Sequence, residues 1–279
     1  MFTALTGAIL SAATLIIQKF ILSTQKVNHK AFNAIVFSFL FIFTLIVFPK
    51  FGWIKPEAFS SYYLIIIVLM VISAAAWNIL LTISLQKERM VEFELIAMTQ
   101  PLVTIAFGSV VFASERNWHI LLLAFAASLA LIIAHLRKDH IYFDKYARYL
   151  LLAILLMSVE FLLIKILLAV FSPVALYMIR TFLIAVVFWV FVTPSLQTVN
   201  LKNLATMGGV AALAVLQMVL IYTAIENKGL VYTTLFLILA PVLVYLFSVL
   251  IFKERLKART AVCVLAILLC IAYAAVLGK

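Results

Sequence analysis

The sequence predicts an all-α membrane protein that crosses the bilayer many times. Of its 279 residues, 67% are hydrophobic and 11% are charged, whereas soluble domains average about 45–50% apolar and about 25% charged residues. The net charge is +11, but the cations separate long apolar runs and do not form the basic stripes that bind nucleic acid. These observations exclude most soluble enzymes, disordered regions and nucleic-acid-binding modules.

Ten apolar runs define the predicted elements, because about 20 apolar residues form a helix that crosses a bilayer core of about 30 Å. In chain order the predicted transmembrane helices are 2–22, 31–48, 62–86, 91–113, 118–136, 149–171, 174–193, 205–225, 230–252 and 258–277. Successive helices are separated by the short polar segments KVNHK, PKFGWIKPEAFSS, KERM, ASERN, RKDHIYFDKYAR, Ser172-Pro173, PSLQTVNLKN, ENKGL and KERLKAR.

The longest connector, 137–148, divides the chain into two five-helix halves, 1–136 and 149–279. In both halves a polar turn precedes a span with one central proline, and a Glu-Arg pair follows that span: Pro101 with Glu115-Arg116, and Pro241 with Glu254-Arg255. Because five is an odd number, the second copy must be inverted relative to the first. Inverted repeats are typical of secondary transporters, whose substrate site lies near the midplane between the repeats.

This arrangement resembles the EamA type of the drug/metabolite transporter superfamily. Besides the ten spans, the prolines and the Glu-Arg pairs, the likeness lies in Lys19 and Lys165 late in the first and sixth spans, and in Ser172-Pro173 followed by Arg180. The resemblance implies transport of metabolites or amino acids, commonly export, through a central cavity. It implies no metal, no organic cofactor and no enzymatic activity.

The first half departs from the family's pattern at two places. Its second span has Ala34 at the position that matches Arg180. Its turn before the fourth span, residues 87–89, is charged where small residues such as Gly229 are usual. The resemblance therefore implies a transporter but does not name its substrate.

Three charged residues lie inside the sixth and seventh predicted spans, although a charge at the centre of a membrane helix costs about 2.5–3.5 kcal/mol on insertion scales. Glu160 is at the middle of the sixth span, and Lys165 and Arg180 lie about equally far from the turn that follows it. We expect a cluster of two cations and one anion facing a cavity. Arg180 or Lys165 would hold a substrate carboxylate or phosphate, and Glu160 an amine or a coupling proton. The alternative is a structural ion pair that fixes the helix hairpin.

Other charged candidates lie near span ends. Lys19 can reach the interface by itself, and its equivalence with Lys165 is what suggests a binding role. Glu92 and Glu94 begin the fourth span, where the helix dipole stabilises carboxylates. Because these two are two residues apart, one can face inward while the other caps the helix.

Pro101 and Pro241 are predicted hinges, because a proline removes a hydrogen bond from its helix and freed carbonyls are tolerated beside a cavity. The alternative is simple tolerance of proline in membrane helices. Six polar or aromatic side chains would line the cavity: Trp77, Asn78, Gln100, Gln217, Tyr222 and Tyr245. The amides among them can instead hydrogen-bond between helices.

We therefore expect a secondary transporter, an exporter, of small polar metabolites such as amino acids, working by alternating access in the inner cell membrane of a prokaryote. Its partners would be a small-molecule substrate, membrane lipids, and a proton or counter-substrate, and the chain would act as a monomer or homodimer. Two alternatives stay open: a carrier of phosphorylated or lipid-linked substrates, and a membrane scaffold or receptor.

The orientation in the membrane also stays open. If Arg259 is counted with the connection KERLKAR, 18 cations lie outside the spans, and 13 of them lie in connections that follow odd-numbered spans. The positive-inside rule would put these connections in the cytoplasm and both termini outside. Relatives in the superfamily are described with both termini in the cytoplasm.

Overall fold

The computed structural model describes residues 2–25, 27–87, 93, 96–97, 99–135, 145–197, 199–244 and 258–277. Within these residues the chain is helical and has no β-strand, in agreement with the predicted class. The helices are α1 (Phe2–Lys19), α2 (His29–Phe51), α3 (Ser61–Lys87), α4 (Gln100–Val111), α5 (Trp118–His135), α6 (Lys145–Leu167), α7 (Pro173–Val187), α8 (Leu201–Lys228), α9 (Leu230–Leu237) and α10 (Ala258–Leu277).

Local sequence explains where α2 and α7 begin. The Asn28 side chain accepts a hydrogen bond from the Lys30 N–H (2.9 Å), and the Ser172 hydroxyl accepts one from the Ala175 N–H (3.1 Å). Such caps satisfy N–H groups that have no partner inside the helix. Pro173 is suited to the first helical position because its N–H is missing in any case. The two helices start one or two residues before the predicted 31 and 174.

Six helical segments among the described residues are long and apolar enough to cross a membrane: Phe2–Leu22, His29–Phe51, Ser61–Lys87, Lys145–Leu167, Pro173–Val192 and Leu201–Lys228. Three shorter apolar helices, Gln100–Val111, Trp118–Ala130 and Leu230–Val244, overlap the predicted fourth, fifth and ninth spans. Helix α10 has the bounds of the predicted tenth span.

Successive helices run in alternate directions, so the molecule has two ends. At one end the α2–α3 connection meets the α6–α7 connection, where the Lys55 N–H donates to the Val170 carbonyl (2.9 Å). At the other end Gln86, late in α3, donates to the Val27 carbonyl just before α2 (3.2 Å). We call the first the Glu115 end (residues 51–60, 112–117, 168–172 and 229) and the second the Lys87 end (residues 20–28, 84–87 and 145–147).

The outer surface of the molecule is more apolar than that of a soluble protein. Large apolar side chains face outward, and Ile46 and Phe191 are 71% and 77% exposed. Buried polar side chains bond to each other between helices: the Asn33 amide donates to the Thr82 hydroxyl (2.9 Å). Helices pack mainly in the pairs α3–α6, α2–α7, α1–α8 and α5–α10. The interior can therefore hold a polar site.

Candidate functional site

A cavity of about 280 Å³ lies between the helices. Its wall is formed by residues of α1, α2, α3, α4, α6, α7, α8 and α9 with its continuation to Val244, and it is largely apolar. The polar side chains that line it, among the described residues, are Ser11, Thr14, Gln18, Asn33, Trp77, Asn78, Thr82, Gln100, Glu160, Tyr177, Arg180 and Gln217. Six of these were predicted from the sequence: Trp77, Asn78, Gln100, Glu160, Arg180 and Gln217.

Glu160 and Arg180 form an ion pair in the cavity wall. Glu160 of α6 and Arg180 of α7 meet in the interior, where both are only 2–3% exposed. Arg180 Nε lies 2.5 Å from Oε1 of Glu160, and Nη2 lies 3.2 Å from Oε2. Trp77 of α3 donates its indole N–H to the same Oε2 (2.5 Å). The carboxylate is therefore held by two helices.

The ion pair leaves the cavity without net charge, because the described lining has no other charged side chain. The Arg180 guanidinium also lies near the rings of Phe37 and Tyr177, 5.9 and 5.8 Å from their centroids, within the range of a cation–π contact. An arginine has five N–H donors, and Glu160 takes two of them. The other three N–H groups make no hydrogen bond to a described residue, so they are available to an acceptor on a bound ligand.

The position of Lys165 corrects the expected cluster of two cations and one anion. Its ammonium pairs with the carboxylate of Glu115, not with Glu160, and lies 4.1 Å from the ring centroid of Phe112. Residues five apart on a helix point in different directions, so α6 turns Glu160 to the cavity and Lys165 away from it. The cluster at the cavity holds one cation and one anion.

Two further predicted residues do not line the cavity. The Lys19 ammonium donates to the Leu85 carbonyl (2.5 Å) near the Lys87 end. Tyr222 is fully buried and packs edge-on against Tyr177, with ring centroids 5.7 Å apart. The Tyr222 hydroxyl has no hydrogen-bond partner within the described part of the chain. Glu92, Glu94 and Tyr245 lie outside the described residues.

Sequence reasoning missed a polar stripe on α1. Ser11, Thr14 and Gln18 all line the cavity, and their spacings of three and four residues put them on one face of the helix. The same spacing links Thr82 to the predicted Asn78. The signal was therefore present, as polar residues at helical spacing within apolar runs.

Both predicted hinge prolines follow an interruption of helical hydrogen bonding. Near each proline an N–H donates to the carbonyl three residues earlier instead of four: Thr99 to Ile96 (3.0 Å) and Ile238 to Leu235 (3.3 Å). Because proline has no N–H, Pro101 and Pro241 cannot donate to the carbonyls of Ala97 and Leu237. Both of those residues line the cavity.

Comparisons with known proteins agree with this description. Residues 145–276 match the model of the EamA-like transporter family. A search of curated proteins finds no match. Among 28 matching chains of solved structures, one crystal structure superposes with a TM-score of 0.70 at 15% sequence identity, over 97% of this chain and 98% of that chain. At this identity the likeness shows the fold.

The apolar helices and the match to a transporter family together indicate an integral membrane protein. Such a family implies a small-molecule substrate and a lipid environment. The resemblance found in the sequence is confirmed for the second half of the chain, because residues 145–276 match the model of the EamA-like transporter family.

Proposed function

We propose that the protein is a secondary transporter that exports a small zwitterionic metabolite, such as an amino acid, by alternating access. The observation that carries the proposal is the Glu160–Arg180 pair in the wall of an internal cavity. A substrate carboxylate would bind the three N–H groups of Arg180 that Glu160 leaves free, and a substrate ammonium would bind Glu160. Export and the prokaryotic inner membrane are carried over from the family resemblance.

The balance of charge in the cavity favours a zwitterion over a phosphorylated substrate. A phosphate monoester carries about −1.5 to −2 charges at pH 7, whereas the described lining offers one cation that is already paired. Lys165 and Lys19, which could have completed a phosphate clamp, do not line the cavity. Its volume, about 280 Å³, is just below the range of about 300–1,000 Å³ for drug-sized ligands and suits a smaller molecule.

The proposal includes ten spans in two inverted repeats, 1–136 and 149–279, joined by 137–148. A two-fold axis between the halves would superpose α1–α5 on α6–α10. The α3–α6 contact would then correspond to the α8–α1 contact. The axis would map the α2–α7, α4–α9 and α5–α10 contacts onto themselves. All of these contacts are present, and they support a two-fold relation between the halves, with the cavity where the halves meet.

The test is counterflow of a panel of amino acids into proteoliposomes. We expect exchange of at least one amino acid, and at least a tenfold loss of its rate in Glu160→Gln and in Arg180→Ala. Glu57→Gln and Arg148→Ala, which change exposed residues of the same types, are the matched controls and should transport normally.

Three outcomes would contradict the proposal. They are no counterflow with any amino acid, undiminished transport in both cavity variants, or exchange of phosphorylated metabolites alone. The last outcome would favour the phosphate carrier, and the first a scaffold or receptor. Repeating the assay with and without a pH gradient separates proton coupling from exchange with a counter-substrate.

A further inference from the structure

Glu115 connects the two halves of the chain at the Glu115 end. Its carboxylate accepts hydrogen bonds from the backbone N–H groups of Leu230 (2.8 Å) and Val231 (2.7 Å) at the start of α9. The same carboxylate pairs with Lys165, near the end of α6. A single side chain from the α4–α5 connection thus holds two helices of the second half.

Backbone geometry at the start of α9 is adapted to this carboxylate. Gly229 joins α8 to α9 with φ +89°, a conformation that glycine adopts readily and other residues rarely do. A Cβ atom at Gly229 would lie 2.5 Å from Oε1 of Glu115. On α4, a Cβ at Gly108 would lie 3.1 Å from Cγ2 of Val231. Two glycines therefore allow the close approach of Glu115 and α4 to α9.

The first two turns of α9 separate the cavity from the Glu115 end. All residues from 230 to 236 are buried, and on this helix the cavity lining begins at Leu237. On α4 the lining ends at Pro101, so residues 102–111 also lie between the cavity and this end. On α2 and α3 the lining residues lie in the part nearer the Lys87 end. The start of α9 therefore closes the cavity on one side.

The same short helix is held at one end and interrupted at the other. Glu115 binds its first N–H groups, and the helical bonding changes at Ile238, three residues before Pro241. A segment of this kind can tilt about Ile238 when the contact at its start is released. Alternating access requires such a release, because the cavity must open to each side in turn.

We propose that residues 230–237 form the gate at the Glu115 end and that Glu115 is the positioning residue that keeps it closed, with Lys165 as its charge partner. This proposal rests on the proposed transport function. In the transport cycle the carboxylate would leave the start of α9, and the gate would tilt about the interruption at Ile238. Lys165 would thus act on access to the cavity without contacting the substrate.

The experiment measures access to the cavity from the Glu115 end. In a background with Cys263→Ala and Cys270→Ala, a reporter thiol is introduced by Ala214→Cys on the cavity wall. A membrane-impermeant methanethiosulfonate is then added to one face of the vesicles. Labelling of Ser60→Cys, an exposed position at the Glu115 end, identifies that face.

We expect Glu115→Ala to raise the rate of Ala214→Cys labelling from that face at least tenfold. Lys165→Met leaves the two backbone bonds of Glu115 in place and should raise the rate by about threefold. Glu57→Ala, which removes an exposed carboxylate at the same end, is the matched control and should leave the rate unchanged. If Glu115→Ala does not fold, the proposal is tested by the labelling rate in Lys165→Met relative to the rate in Glu57→Ala.

Equal labelling rates in the gate variants and in Glu57→Ala would overturn the proposal. Because labelling needs no substrate, its outcome is independent of the transport assay. Faster labelling without transport of any metabolite would support the gate and contradict the proposed function. Transport without faster labelling would contradict the gate alone.

Discussion

The ion pair of Arg180 and Glu160 can have a structural and a functional role at once. Each is almost fully buried, and a buried charge that loses its partner destabilises a protein by about 3–5 kcal/mol. The pair could therefore serve only to join α6 to α7. Its position in the cavity wall and the free N–H edge of Arg180 instead favour contact with a substrate.

The first prediction separates these two roles. Arg180→Met and Glu160→Leu should each lower the free energy of unfolding by about 3–5 kcal/mol, because each leaves an unpaired buried charge. The double variant should recover most of this loss, since well-packed apolar residues replace buried ion pairs at little cost. Thermal unfolding in detergent measures the stability of all three.

Transport by the double variant decides the role of the pair. We expect at least a tenfold loss of counterflow in spite of the recovered stability. Normal transport by a stable double variant would leave the pair with a structural role only.

Among the elements, α4 and α9 differ from the others because each is interrupted just before a proline. The interruptions at Thr99 and Ile238 lie beside the cavity, and the two helices contact each other at Gly108 and Val231. An unbroken helix in either place would transmit a tilt along its whole length. The interruptions allow the start of α9 to move while its continuation, which lines the cavity, stays in place.

The second prediction concerns Pro101→Ala and Pro241→Ala. Pro101 is at the second position of α4, and Pro241 lies in the first turn after the interruption at Ile238. The missing N–H of proline costs little at the start of a helix, so both variants should be about as stable as the parent protein. Their turnover should fall at least fivefold with KM changed less than twofold, because a continuous helix resists the hinge motion and the binding residues are intact. Pro49→Ala, in the exposed last turn of α2, should leave turnover unchanged. Unchanged turnover in both hinge variants would contradict the role of hinges.

The third prediction contrasts two glycines, one inside α8 and one directly after it. Gly229→Ala should destabilise the protein by about 1–3 kcal/mol, the usual cost of a backbone held in a sparsely populated region. Gly209→Ala, in α8 with no atom within 4 Å of the new Cβ, should stabilise it by about 0.5–1 kcal/mol through helix propensity. Denaturation midpoints in detergent check both signs. A destabilising effect of Gly209→Ala would contradict the open space beside this position.

At the scale of the whole molecule, the arrangement of the helices decides which segments share a face of the membrane. Contacts between the α2–α3 and α6–α7 connections, and between Glu115 and the start of α9, put four segments at one end. The ends of α1 and α3 meet the starts of α2 and α6 at the other. Ten successive spans, as proposed, would place these described segments at the same two ends.

The fourth prediction tests the number of spans by labelling from one face. Asn117→Cys, between α4 and α5, should be labelled from the same face as Ser60→Cys, and Arg148→Cys from the opposite face. All three positions are exposed. If only the six longest helices crossed the bilayer, Asn117→Cys would be labelled from the same face as Arg148→Cys. The two outcomes cannot be confused, because they assign one residue to opposite faces.

Much of the architecture was predictable from the sequence because bilayer thickness sets the length of an apolar helix. The bounds of α3 differ by one residue from the predicted 62–86, and α10 has the predicted bounds. Glu160 and Arg180 also stood out in the sequence, since charges are rare in membrane spans, and the prolines stood out because they occupy matching places in the two halves. The positions of these residues in apolar runs therefore indicate a role other than packing.

The sequence by itself therefore determined an all-helical membrane protein, its helices and the residues that need a partner inside it. Only the tertiary structure decided which partner each residue has: Arg180 for Glu160, and Glu115 for Lys165. The physical reason is that α6 is apolar on nearly every side, so no amphipathic stripe in its sequence marks whether Glu160 or Lys165 faces inward. The rotation of each helix, and with it every contact in the cavity, depends on the neighbours against which it packs.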